Sequence, residues 1–356
     1  MAARARTLVD VGQRLGIGVR DGDGVRPGTI SVGDEGWKRM IDLERGDPIF
    51  IHGVLPRSGT NFLWDLLLLH PDCAPAIEPV HEDQFLEHSD HLVEFARSVR
   101  AAWDPRWGEF ADELPARLVA SIGDGLVSFL WADRGRRLVA KSPSVRRLDR
   151  FFAFFPSARL LVLVRDGRSV TRSAMETFGW GFERAARAWA QGADEIRRFR
   201  ETYGDAHPER WRLVRYEALV EDLDVELPEV LRFLELDLDR YDMGAARTLP
   251  VRGSSWFLGE GRSTVHWEPV EKDPDFRPTE RWRSWTPERL ERFEWLAGDR
   301  LRYLGYGPTT PAPAGRAIAY QRLLDVRWAA RSGVERARRR LGVSSRPLRH
   351  RLGLTR

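Results

Sequence analysis

The sequence predicts an α/β protein whose parallel sheet is covered by helices on both faces. Three observations lead there. Four short apolar runs recur along the chain: Pro48–Leu55, Arg137–Ala140, Arg159–Val164 and Trp211–Val214. Helical patterns separate them, and alternating strands and helices imply parallel pairing. The 356-residue chain is 42% hydrophobic and 31% charged, which supplies a sizeable core and excludes a disordered class. Cys73 is the single cysteine, so a disulfide-stapled scaffold is excluded and a reducing compartment is the default.

The elements follow in order. Residues 1–46 are rich in Gly, Asp and Arg and read as an arm with a short helix near Trp37–Leu43. Pro48–Leu55 is a buried strand that ends in turn residues. Helices are expected over Thr60–His70, Leu114–Trp131, Ser144–Phe155, Phe182–Tyr203, Leu227–Leu236 and Pro287–Tyr303. The last begins with Thr286 as N-cap and Pro287 at the first helical position. Residues 244–285 are irregular, and their four tryptophans argue for an ordered, functional loop. The segment 308–315 is a Pro-rich linker, and a helix is expected over Ala317–Leu341, with Ile318, Leu324 and Trp328 on one face. The expected organisation is thus an arm over 1–46, a main domain over 47–307, the linker, and a basic tail over 316–356.

Charge is unevenly placed. The total is +4, but residues 316–356 hold twelve arginines against Asp325 and Glu335, a segment charge of +10. Subtracting it from the total leaves −6 for residues 1–315. The tail suits either a helix packed on the body with a solvated arginine face, or a basic amphipathic segment for an anionic membrane surface or an acidic partner. Nucleic acid is not expected, because no binding module accompanies the charge. No apolar run approaches the ~20 residues that span a bilayer. Residues 1–12 lack the apolar core of a signal peptide, so a cytoplasmic protein is expected, with a membrane-peripheral location open.

The segment Gly53-Val54-Leu55-Pro56-Arg57-Ser58-Gly59-Thr60-Asn61 joins the first strand to a helix. Small residues at such a junction leave backbone N–H groups at the positive helix end, which suits phosphate or sulfate. A nucleotide P-loop reads G-x-x-x-x-G-K-[ST]. Here Ser58 replaces the second glycine and Gly59 the lysine, while the positive charge has moved to Arg57. A second candidate anion site lies in L-V-L-V-R-D-G-R-S-V-T-R-S, residues 161–173. Arg165 at a strand end and Ser173 eight residues later can converge on one phosphate. The R-D-G-R string alone is also explained by a surface ion-pair cluster around Asp166.

These two elements, in this order and about 110 residues apart, resemble the sulfotransferases that use 3′-phosphoadenosine 5′-phosphosulfate (PAPS). The stretch from Ile49 to Asp72, with P-R-S-G-T and H-P-D, is most similar to the tyrosylprotein sulfotransferase-like branch. The resemblance covers roughly residues 48–306. It implies a P-loop-type sulfotransferase fold with PAPS across the carboxyl ends of the strands. By resemblance, Arg57, Ser58, Gly59, Thr60 and Asn61 hold the 5′-phosphosulfate, and Arg165 with Ser173 holds the 3′-phosphate.

The resemblance also supplies the catalytic groups. Glu78, at the family's offset from Arg57, is the candidate base for the acceptor hydroxyl; Glu82 and His81 are rivals. Lys141, one of three lysines in the chain, matches a lysine that contacts the transferring group. Tyr216, in R-Y-E-A-L, matches a tyrosine that contacts the cofactor. Ser263 corresponds to a serine facing the sulfuryl group, and Arg281-Trp282 to a basic residue and Trp that close over the nucleotide. Val251–Ser255 resembles instead the R-K-G phosphate loop of cytosolic sulfotransferases, and the choice between these closing segments is open. Thr177 stands where the branch has a third basic contact. The implied reaction moves the sulfuryl group of PAPS to an acceptor hydroxyl on a sugar, lipid, small metabolite or tyrosine. No metal is required, and no metal motif is found. The rival classes are a P-loop kinase using ATP and a non-catalytic binder acting through its tail.

Overall fold

The computed structural model describes residues 46–104, 106, 113–204, 207–250, 278–311 and 314–340. The helix near Trp37–Leu43, Ser263 and the Val251–Ser255 segment lie outside the described residues. The chain divides into two compact units, 1–283 and 284–356.

In the first unit, β1 (Ile49–Gly53), β2 (Cys73–Pro75), β3 (Arg137–Ser142), β4 (Arg159–Val164) and β5 (Trp211–Arg215) form one sheet. Every pairing is parallel, in the order β2-β3-β1-β4-β5. β1 is the central strand and all five of its residues are buried. Burial on both faces is why its sequence shows a continuous apolar run rather than alternation. The four expected strands are all present. β2 was not expected: three residues are too few for a periodic signal, and Pro75 is tolerated there because β2 is an edge strand.

The helices are α1 (Thr60–Leu68), α2 (Ser89–Ala102), α3 (Leu114–Leu130), α4 (Phe151–Phe154), α5 (Gly167–Phe178), α6 (Phe182–Thr202), α7 (Tyr216–Glu221), α8 (Leu223–Phe233) and α9 (Met243–Arg247). On one face of the sheet, Ile51, Val139, Leu161 and Leu163 pack on Leu63, Leu66 and Leu67 of α1 and on Leu227, Val230 and Leu231 of α8. On the other, Phe50 stacks on Phe155 at 4.7 Å and meets Phe151 of α4 edge-on at 5.5 Å. Phe152 continues this layer to Phe199 of α6. Each fully buried aromatic of this kind stabilises by about 2–3 kcal/mol through area alone.

Two expected helices are corrected. Ser144–Phe155 is not one helix: Arg147 sits in the left-handed region at φ 61, so only a short 3-10 turn (Leu148–Arg150) and α4 form. The run Phe151–Phe155 is buried throughout. The helix expected over Leu227–Leu236 starts earlier and ends at Phe233. Glu235 turns back at φ 57 and the Leu236 N–H donates to the Leu231 carbonyl at 2.9 Å, a Schellman-type stop.

In the second unit, α10 (Pro287–Tyr303) starts as expected: Thr286 accepts from the Arg289 N–H, and Pro287 is the first residue. Phe293, Leu296, Ala297 and Leu301 are its buried face. α11 (Arg316–Arg340) follows the linker. Among the described residues, no helix is long and apolar enough to cross a membrane.

Candidate active site

Every strand that carries a sequence-predicted site residue points its carboxyl end at the same edge of the sheet. Arg57 follows β1, Lys141 lies near the end of β3, Arg165 follows β4 and Tyr216 follows β5. Open parallel sheets bind ligands at that edge. A separate cleft of about 540 Å³, bordered by Asp47, Asp72, Arg136, Arg137 and Glu235, sits at the opposite, amino end of the strands.

The loop after β1 is held by its own serine. The Ser58 hydroxyl donates to the Leu55 carbonyl at 2.6 Å and accepts from the Leu55 N–H at 3.2 Å. Ser58 is fully buried, so its side chain shapes the loop in this conformation. Two consequences follow for its neighbours. Arg57 is forced to φ 82, an uncommon conformation for a residue with a Cβ, of the kind stored at functional loops. Gly59 sits at φ 97, and a Cβ there would lie 2.3 Å from the Tyr216 ring. Only glycine satisfies both demands, which explains why the P-loop lysine position is empty of side chain here. Thr60 then opens α1, whose first turn contains no acidic residue.

The two predicted anion elements meet. Arg57 Nε donates to Ser173 Oγ of α5 at 3.0 Å. Arg165 Nη1 donates to the Arg57 carbonyl at 2.9 Å, and its Nη2 to the Pro278 carbonyl at 2.5 Å. The Arg165 guanidinium lies 4.5 Å from the centroid of the Tyr216 ring. A desolvated cation–π contact contributes about 2 kcal/mol. Among the described residues, Arg165 Nε is buried without a partner. Burial lowers the pKa of Arg57 to about 10, and the charges of Arg165 and Arg281 push it the same way. Burial also lowers Arg281 and raises the Tyr216 phenol. Arginines gathered at a buried edge, with their charges depressing the pKa of Arg57, have the chemistry to meet an anion.

The R-D-G-R string is an ion pair, but a buried one. Asp166 caps α5 by accepting from the Arg168 N–H at 2.8 Å. Arg168 grips the same carboxylate through Nε and Nη2 at 2.9 and 2.7 Å. Its guanidinium stacks 4.1 Å from the centroid of the Trp282 ring. Ser169 Oγ donates to the Thr279 carbonyl at 2.8 Å, and Arg281 pairs with Glu176 of α5. The segment 278–282 therefore lies across α5 and brings Arg281 toward Arg57 and Arg165. Thr177 is buried one residue beyond Glu176.

The other side of β1 is more open. Glu78 and His81 are exposed, and Glu82 is half-buried with Gln84 Nε2 at 3.5 Å. Lys141 is buried, with Nζ 5.6 Å from the centroid of Trp64. Sequence reasoning missed Asp83. Its N–H donates to the Lys141 carbonyl at 3.1 Å, which ties the Glu78–Asp83 loop to the end of β3. Its carboxylate is buried: one oxygen accepts from the Phe85 N–H at 3.1 Å and the other has no partner among the described residues. Burial, aided by the charge of Glu82, pushes its pKa up to about 7; Lys141 opposes this. Nothing in the H-E-D string separates the buried acid from its exposed neighbours. Among the described residues, no group of three His, Cys, Asp or Glu is placed to hold a metal ion.

Comparison with known proteins gives this architecture a family. Residues 48–240, more than half of the chain, match the sulfotransferase family model. The chain belongs to the sulfotransferase family. It is 22% identical to the protein-tyrosine sulfotransferase of Drosophila melanogaster over 204 residues. That match covers 56% of this chain and 40% of the relative, so the chain spans well under two thirds of the relative's length. Among solved structures, it is similar to the sulfotransferase domain of the curacin biosynthetic pathway, at 20% identity and TM-score 0.46 over 75% of this chain and 99% of that one. The sulfotransferase domain of the Synechococcus PCC 7002 olefin synthase gives 22% identity and TM-score 0.47, over 75% and 96%.

Proposed function

We propose that this chain moves the sulfuryl group of PAPS to an acceptor hydroxyl, releasing an O-sulfated product and adenosine 3′,5′-bisphosphate. One observation carries the reading: Arg57, Ser173 and Arg165 interlock at the carboxyl edge of the sheet, with Arg281 close enough to add its field. The unpartnered Arg165 Nε and the depressed Arg57 fit a polyanionic nucleotide.

In this reading the loop from Arg57 to Asn61 and the first turn of α1 hold the 5′-phosphosulfate, and Arg165 and Ser173 hold the 3′-phosphate. PAPS supplies the sulfuryl group and a phosphate leaving group. Glu78 accepts the proton of the acceptor hydroxyl as its oxygen forms the new S–O bond and the bond from sulfur to the bridging oxygen breaks. Lys141 and Arg57 stabilise the charge that develops on the leaving phosphate. Tyr216 packs the floor beside Gly59. Arg281 and Ser263 belong to the closing side, and the acceptor is a sugar, a lipid, a small metabolite or a tyrosine.

Thermal denaturation with adenosine 3′,5′-bisphosphate, AMP and ATP tests the reading. Ligand at about a hundred times its Kd adds about 2.7 kcal/mol, read as a rise in Tm. The bisphosphate is expected to stabilise far more than AMP at equal concentration. A larger shift with ATP overturns the reading in favour of a nucleoside triphosphate enzyme.

A further inference from the structure

Helix α11 exposes large apolar side chains although its inward side is already occupied. That inward side holds half-buried Ile318, Leu324 and Trp328 together with polar anchors. Gln321 accepts from Arg292 Nη1 at 3.0 Å and donates to Glu291 at 3.1 Å. Asp325 takes Arg292 Nη2 at 2.7 Å and Trp295 Nε1 at 2.9 Å. Its outward side is apolar: Tyr320, Leu323, Val326 and Val334 are 58%, 51%, 66% and 54% exposed. At about 100° per residue these four and the exposed Ala330 fall within roughly 120° of arc. Exposed Arg327 falls within that arc, between Val334 and Tyr320, and exposed Arg322 and Arg331 border it on either side.

We propose that this face of α11 lies on an anionic lipid surface, with the apolar stripe entering the headgroup boundary and the flanking arginines on acidic headgroups. Charge complementarity selects this occupant. The segment 316–356 carries +10, so a second copy of the same face would bring like charges together. A nucleic acid or acidic polymer would use the arginines but leave the apolar stripe in water. Only a lipid boundary takes both, since an apolar face flanked by basic residues is the composition of interfacial helices. Two of the partners allowed by charge alone, a membrane or an acidic protein, are thereby reduced to one.

Flotation of the full chain with vesicles is the experiment. Phosphatidylcholine vesicles and vesicles with about one third phosphatidylserine are compared at low and physiological salt. Binding is expected only to the acidic vesicles, and weaker at higher salt. The triple variant Arg322→Gln, Arg327→Gln, Arg331→Gln is expected to lower the partition coefficient on the order of 100-fold, from three basic residues near the surface. The pair Leu323→Gln, Val326→Gln leaves the charge unchanged and is expected to lower it about 10-fold or more. Both sets are exposed, so unchanged Tm values serve as the folding control. No flotation with acidic vesicles overturns the proposal. Loss in the arginine variant but not in the apolar pair overturns it in favour of an acidic polymer, with competition by double-stranded DNA as the readout. A concentration-dependent dimer that the apolar pair abolishes also overturns it, in favour of self-association.

Discussion

On the β4 side of the central strand, Arg57, Ser173, Arg165 and Tyr216 lock into one another through short contacts. On the β3 side, Glu78 and His81 stand exposed, while Asp83, Lys141 and Ser142 are buried. The two sides share one sheet edge but differ in how much of their geometry the fold fixes. The β4 side is pre-arranged, which under the proposed function suits a nucleotide polyanion that needs several donors already in place. The β3 side leaves its carboxylate free to meet an acceptor. If the proposed function holds, donor recognition is rigid and acceptor recognition is open. The family can then keep one donor while changing acceptors.

The largest expected effect lies on the open side. Glu78→Gln keeps shape but removes the proton acceptor. Turnover with PAPS and any accepted hydroxyl substrate is expected to fall about 10²–10⁴-fold. Affinity for adenosine 3′,5′-bisphosphate is expected to stay within about twofold, since Glu78 touches none of the β4-side residues. Near wild-type turnover would move the base to Glu82 or His81 and break the comparison at its first point.

Next comes the locked side. Arg165→Ala removes a buried guanidinium that holds the Arg57 carbonyl and packs on Tyr216. Binding of adenosine 3′,5′-bisphosphate, measured by calorimetry, is expected to weaken about 100-fold, the scale of one or two charge-assisted hydrogen bonds. AMP binding is expected to change far less. Equal losses for both ligands would show that Arg165 organises the loop as a whole rather than meeting the 3′-phosphate. Gly59→Ala tests the same rigidity without touching a charge. Its Cβ would collide with the Tyr216 ring at a positive φ. A stability loss of about 1–3 kcal/mol is expected, read as a Tm lower by several degrees. An unchanged Tm would mean that the loop and ring yield together.

The same division governs what could be read before the structure. The meeting of the locked side's residues was legible because their placement is written locally. One strand–loop–helix segment holds Arg57 to Asn61, and one strand end and helix hold Arg165 and Ser173, so sequence spacing fixes their relation. The open side was not. Asp83 differs from Glu82 by burial alone, and that burial comes from a backbone bond to Lys141, 58 positions away in the chain. The stack of Arg168 on Trp282 likewise joins segments over a hundred residues apart, so the string alone left a surface ion pair open as an alternative. Ser144–Phe155 failed for a related reason: an apolar run buried on every side has no period to report.

The smallest expected effect in the native chain comes from two buried groups whose pH slopes have opposite sign. Asp83 has its folded pKa raised to about 7 by burial, so between about pH 4 and 7 the folded state holds a proton that the unfolded state releases. Its contribution to stability therefore falls as pH rises through that window, by up to about 1.4 kcal/mol per pH unit. His52 of β1 is also buried, with Nδ1 2.8 Å from the Ser144 carbonyl, and burial lowers its folded pKa to about 4. Between about pH 4 and 6.5 the unfolded state holds its proton instead, so its contribution rises with pH by a similar slope. The two nearly cancel in the shared window, and the native Tm is expected to show little dependence on either group there. Asp83→Asn should expose the His52 slope, with Tm climbing from pH 4.5 to 6 and standing above the native value at pH 8. His52→Phe should expose the opposite slope, with Tm declining over the same range. Parallel profiles for the two variants would show that the carboxylate beside Lys141 is not held protonated by the fold.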